Sequence, residues 1–201
     1  MEAVPSMPDY YFQGVGSGAG AIAVHEAARR LLDAGVADRT PRLMLCQNAL
    51  FAPLYDAWRA DLGDVRTSTD AANAARCFAD ELTNRRPPYI AAGGVRDCIT
   101  QSAGEMFLAD HASARAAQDL FAVVEGIDIE PAAAVALACL RDAAATGAVP
   151  REATVLLNIT GGGRGRFARE FRPEASRPVH LVSTRDLRAG VFTKDLQASF
   201  T

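Results

Sequence analysis

Between a short β-prone run and a helix-patterned segment, the chain places Gly14-Val15-Gly16-Ser17-Gly18-Ala19-Gly20. A glycine-rich turn of this kind belongs where a strand hands directly to a helix, which points to an α/β fold. Glycine allows φ > 0 and lets a backbone come close to a ligand. Several N–H groups at such a turn face outward at the positive end of the helix dipole, forming a cradle for phosphate. Gly16, Gly18 and Gly20 also satisfy a loose dinucleotide pattern. That pattern wants an acidic residue about 20 residues on, after the second strand. Here the second strand ends in Cys46-Gln47-Asn48, with no acid. A tight turn that binds nothing is the third reading.

The rest of the pattern extends the α/β reading. Tyr10-Tyr11-Phe12-Gln13 is the first strand, and Ile22, Val24, Ala27, Ala28, Leu31 and Leu32 mark the helix that Gly35 closes. Arg42 to Gln47 is a continuous apolar strand of the type buried in parallel sheets. Helices are predicted over Phe51 to Ala60, with Pro53 in the first turn, and over Asp70 to Leu82, capped by Thr69 or Asp70. The Pro-Pro and Gly-Gly pairs of Arg85 to Gly94 mark a loop. Then come a helix at Val95 to Ser102, a strand at Glu105 to Ala109, and helices at Ser113 to Glu125 and Pro131 to Ala145. The alanines of the last suit close approach to a neighbouring layer. Thr154 to Ile159 is a further buried strand, and Val179 to Val182 is a late apolar run. The expected fold is α/β, a mostly parallel sheet with helices on both faces, with residues 1–201 as a single domain.

Thr160-Gly161-Gly162-Gly163 follows that strand directly, at the carboxyl end where open α/β sheets bind ligands. Three glycines leave room for a flat ring, and Thr160 offers a hydroxyl to a ring nitrogen. Two glycine loops can converge on one sheet edge.

Composition excludes several classes. A net charge of −3 gives no footprint for nucleic acid, and 49% hydrophobic with 22% charged residues marks a globular chain. No run approaches the ~18 apolar residues of a membrane span, and acidic Glu2 and Asp9 do not suit a signal peptide. Cys46, Cys77, Cys98 and Cys139 are widely spaced and read as free thiols in a cytoplasmic setting. No His, Cys or Asp cluster has metal-ligand spacing. His25 reads as helix packing or helix surface, His111 as a loop residue and His180 as a strand residue. Arg85 and Arg86 are either a grip for an anionic substrate or a solvated basic pair, and Arg164 and Arg166 share that ambiguity.

Taken in order, Tyr11 to Ala23, Arg86-Pro87-Pro88-Tyr89 with Gly93-Gly94-Val95, Glu125-Gly126-Ile127-Asp128 with Pro131-Ala132-Ala133, and Leu156 to Gly163 carry a resemblance. They resemble the threonine-synthase-related, fold-type-II pyridoxal-phosphate enzymes, the cysteate synthases most of all. The resemblance implies that the backbone of Gly16, Ser17, Gly18, Ala19 and Gly20 holds the 5′-phosphate of pyridoxal phosphate. It implies that Thr160 meets the pyridine nitrogen, beside Gly161, and that Gly94 borders the ring. The implied activity is β-replacement, O-phosphoserine and sulfite giving cysteate and phosphate. Threonine synthase-like or lyase and dehydratase activities are alternatives within the same chemistry. A non-catalytic homologue that binds a phosphate ligand is the alternative outside it.

The departure from the family concerns lysine. Such enzymes hold their cofactor covalently on a lysine amine, and Lys194 is the only lysine here, against twenty arginines. The resemblance puts the covalent lysine in an N-terminal half that precedes the phosphate loop. With Met1 read as a natural start, that half is expected on a partner chain in a hetero-oligomer, which would also bring the substrate-carboxylate loop. Lys194 itself is the competing candidate.

Overall fold

Alternation along the strands builds two cores. In the computed structural model, which describes residues 6–65 and 71–171 with Glu174, Ser183 and Arg185, four strands form one parallel sheet. They are β1 (Tyr10–Gly14), β2 (Arg42–Asn48), β3 (Glu105–Ala109) and β4 (Val155–Leu157), in the order β3-β2-β1-β4. The helices are α1 (Ala19–Asp33), α2 (Pro53–Arg59), α3 (Ala71–Ala74), α4 (Val95–Gln101), α5 (His111–Glu125), α6 (Pro131–Ala145) and α7 (Arg164–Phe171). Successive strand side chains point to opposite faces. Tyr10, Phe12, Met44 and Cys46 therefore turn to one face, where residues of α5 and α6 pack on them. Tyr11, Leu43 and Leu45 turn to the other, against α1, α2 and α4. Helices on both faces of a parallel sheet are the expected architecture.

Alanine sets the spacing of the first layer. Ala132 to Ala136 of α6 are buried, and a β-carbon on Gly14 would stand 2.5 Å from the Ala132 carbonyl oxygen. Backbone thus lies almost on backbone, and only glycine fits the strand side. Cys46 and Cys139 are buried free thiols in this core. Burial and mutual proximity push the Cys46 thiol well up, so it stays protonated and unreactive.

The chain divides into two compact units, Met1–Arg166 and Phe167–Thr201. Among the described residues no helix is long and apolar enough to cross a membrane. No group of three or more His, Cys, Asp or Glu side chains among them is placed to hold a metal ion.

Three sequence expectations need correction. The helix predicted over Asp70 to Leu82 is the short α3 and a separate 3₁₀ turn at Asp80–Leu82. Asn48 is the cause. Its side-chain amide donates to the Ala79 carbonyl at 2.8 Å and accepts from the Ala79 N–H at 3.1 Å, holding Ala79 at φ −107° and ψ 84°. Tertiary hydrogen bonds override helix propensity there. His111 opens α5 instead of preceding it, because Asp110 is the cap, its Oδ1 accepting from Ser113 N–H at 2.7 Å. The strand predicted to be buried over Thr154 to Ile159 is only Val155–Leu157. Among the described residues it is an edge strand, with Leu156 50% exposed. The predicted caps Thr69 and Asp70, the run Val179 to Val182, His180 and Lys194 all lie outside the described residues.

Candidate functional site

The strand order reverses at β1. From β1 the chain moves to β2 and β3 on one side and returns to β4 on the other. The crevice beyond the carboxyl ends of β1 and β4 is where open α/β sheets bind ligands. Both glycine loops open onto it, the first after β1 and the second after β4.

The first loop leads into α1 with no side-chain cap at Gly18 and no acid in the first turn. A helix start of this kind suits an anion. Gly18 has φ +80°, and a β-carbon there would collide with the Val95 side chain. Glycine is required on both counts. Ser17 Oγ accepts from Ala19 N–H at 3.3 Å, which leaves its own proton free to donate. Ala19 and Gly20 are exposed, and Gly16 and Ser17 partly so. An uncapped, acid-free helix start after a glycine turn fits a phosphate group.

Close contacts gather the other motifs around this loop. Gly94 is the buried N-cap of α4, and the Val95 that follows it meets Gly18. A β-carbon on Gly16 would stand 3.3 Å from the Glu81 carbonyl oxygen. Glu81 in turn accepts from Ala132 N–H at 2.9 Å at the start of α6. Arg85 and Arg86 lie exposed on the turn before Tyr89, with Arg86 N–H donating to Asn84 Oδ1 at 2.9 Å.

The second loop is clamped from the segment before α6. Gly163 N–H donates to the Asp128 carbonyl at 2.7 Å and Glu130 N–H to the Gly161 carbonyl at 2.8 Å. Asp128 Oδ2 accepts from Gly165 N–H at 3.0 Å. Thr160 is exposed, and no hydrogen bond to its hydroxyl is found among the described residues. The Glu125 to Asp128 motif thus fixes the loop that carries Thr160. Hydrogen bonding, led by the Gly165 N–H, holds the Asp128 carboxyl below the ordinary carboxylate value of 3.8. A lowered folded pKa gives stabilisation that is complete above the unfolded value and lost as pH falls through the folded one. The Gly165 amide is therefore expected to lose hydrogen-exchange protection when pH drops below about 3.8. Unchanged protection down to complete protonation would show that the clamp does not need the charge.

Some participants were missed in the sequence. Tyr11 O–H donates to Gln13 Oε1 at 3.0 Å and accepts from Asn158 Nδ2 at 2.7 Å. Burial raises the Tyr11 pKa, so it remains a phenol. This chain of hydrogen bonds ties β1 to the end of β4, and Gln13 lies against Gly20. Its signal was a polar residue at the end of each apolar run. Gln47 is fully buried. It accepts from Leu54 and Tyr55 N–H at 3.0 Å each and donates to the Val15 carbonyl at 3.3 Å. Gln47 and Asn48 brace backbone where a dinucleotide site would need a carboxylate. His25 is buried in α1 with Nε2 3.1 Å from Gln101 Oε1, as packing predicts.

Comparison with known proteins agrees. Residues 1–161 match the family described as pyridoxal-phosphate dependent enzyme. A cysteate synthase of Methanocella paludicola is 42% identical over 196 residues, covering 95% of this chain and 46% of the relative. That of Methanothrix thermoacetophila is 45% identical over 167 residues, covering 82% and 40%. The chain therefore spans less than half the length of these relatives. Among solved structures, a threonine deaminase from T.th. aligns with TM-score 0.59 at 16% identity, covering 86% of this chain and 51% of that one. Serine racemase from Dictyostelium discoideum gives TM-score 0.58 at 16% identity, covering 80% and 45%. Those two share the fold. With its uncapped helix start and its two glycine loops at one crevice, the chain belongs to the family of pyridoxal-phosphate dependent enzymes.

Proposed function

We propose that this chain is the cofactor-holding part of a cysteate synthase-like β-replacement enzyme, which converts O-phosphoserine and sulfite to cysteate and phosphate. One observation carries the reading most: both glycine loops open on the β1–β4 crevice of a chain 42% identical to a cysteate synthase. Bound pyridoxal phosphate supplies an electron sink for bond breaking in an amino acid. The chain's residues do the rest of the holding. The N–H groups of Gly16, Ser17, Gly18, Ala19 and Gly20 grip the phosphate, helped by the Ser17 hydroxyl proton and the α1 dipole. Thr160 would donate from its hydroxyl to the ring nitrogen, and a hydroxyl there, unlike a carboxylate, does not favour a protonated ring. The weaker sink that results suits β-elimination and replacement. Gly161 would leave room beside the ring, and Gly94 would border it. Arg85 and Arg86 would meet an anionic substrate group.

The covalent lysine comes from a partner polypeptide that corresponds to the part of the relatives this chain does not match. The test is to express the chain alone and with the product of the adjacent gene. Visible absorbance of lysine-bound cofactor, and release of phosphate from O-phosphoserine that depends on sulfite, are expected only from the co-expressed sample. Neither signal in either sample counts against the reading. Colour in the lone chain that disappears in Lys194→Ala moves the lysine to Lys194.

A further inference from the structure

Thr160 and the start of α1 lie on different elements, so a ligand that spans them depends on what fixes their separation. The far side of the Thr160 loop is held by Asp128 and Glu130. The near side is held at Asn158, two residues before Thr160. Asn158 N–H donates to the Phe12 carbonyl at 2.9 Å, and Asn158 Nδ2 donates to Tyr11 Oη at 2.7 Å. The first bond continues the strand pairing. The second is a side-chain link to the strand that leads into the phosphate turn.

Its atoms set the direction of that link. Tyr11 has one hydroxyl proton, which goes to Gln13 Oε1 at 3.0 Å while the same oxygen accepts from Asn158. The relay therefore runs from Asn158 through Tyr11 to Gln13. Tyr11 and Gln13 are both buried, and Gln13 Nε2 stands 2.5 Å from where a β-carbon on Gly20 would be. The relay thus ends in an amide donor lodged against the first turn of α1, in space that glycine at position 20 leaves open. Apolar side chains could fill the same volume, but burial is non-directional, whereas a hydrogen bond fixes distance and angle. Bonds aligned in one direction also strengthen each other. We propose that Tyr11 and Asn158 are positioning residues, which set the Thr160 hydroxyl one ring's length from the phosphate-binding turn. This rests on the cofactor reading given above. The pair acts through the two loops. A ligand that spans both loops depends on the relay, and a ligand that fills only the first does not.

Two probes test this by NMR titration of the full, isotope-labelled chain. One is inorganic phosphate. The other is pyridoxine 5′-phosphate, which has the ring and the phosphate but no aldehyde, and so needs no lysine. In the parent, both are expected to shift the amide signals of Gly18 to Gly20. Pyridoxine 5′-phosphate should also shift those of Gly161 to Gly163 and bind the more tightly. In Asn158→Ala and in Tyr11→Phe it is expected to bind about three- to tenfold more weakly, the worth of one hydrogen bond. Phosphate affinity should stay within about twofold of the parent's. The double variant should bind no more weakly than the weaker single one, because both remove the same bond. A purely structural role would weaken both probes together. That outcome, no change for either probe, or additive losses in the double variant overturns the relay and leaves the cofactor reading standing. If Tyr11→Phe does not fold, Asn158→Ala decides alone, since Asn158 is only half-buried. A parent that binds phosphate but holds the ring no more tightly overturns the Thr160 contact and the relay with it. A parent that binds neither probe overturns the cofactor reading as a whole.

Discussion

Asn48→Ala is expected to lower the free energy of unfolding by about 2–6 kcal/mol, a large share of the roughly 5–15 kcal/mol of a typical domain. Asn48 is 3% exposed and satisfies both the N–H and the carbonyl of Ala79. Alanine would leave two buried backbone groups without partners, at about 1–3 kcal/mol each. The loss reaches the site, because Ala79 precedes the Asp80–Leu82 turn that packs beneath Gly16. Asn48→Asp sharpens the test. It keeps an acceptor for the Ala79 N–H but turns a carboxylate oxygen toward the Ala79 carbonyl, so it should not rescue stability at neutral pH. Urea unfolding of the three proteins decides it, and an Asn48→Ala midpoint equal to the parent's would remove the clamp from the account.

Gly18→Ala is the second substitution of large expected effect, about 2–5 kcal/mol. A left-handed conformation costs an L-residue about 1–2 kcal/mol, and overpacking a core adds about 1–3 kcal/mol. Both apply, since Gly18 has φ +80° and faces Val95, which is fully buried. The parts separate in a Val95→Ala background, where only the backbone cost of about 1–2 kcal/mol should remain. Thermal or denaturant melts of the four proteins give the cycle. An effect that persists in full without Val95 would assign the whole cost to φ.

The sequence made plain what local pattern controls. The glycine turn, the apolar strands and the alanines of Pro131–Ala145 each followed from spacing and residue size. It misled where distant partners decide. Nothing near Ala79 announces that Asn48 will pull it out of a helix. An apolar run such as Thr154 to Ile159 reads alike in the middle of a sheet and at an edge. The two glycine loops were legible one by one, and their meeting at one crevice required the strand order. Asp128 was visible only as part of a motif. Its work, holding Gly163 through its carbonyl and Gly165 through its carboxylate, depends on a turn made more than thirty residues later.

The link between Tyr11 and Asn158 spans 147 positions. β1, β2 and β3 can assemble from neighbouring stretches of chain, each closing a moderate loop. β4 has to find β1 across nearly the whole described sequence, and the entropy of closing so long a loop is gained back only once the pairing is complete. The crevice is therefore a late product of folding, absent from any intermediate that holds only the first three strands.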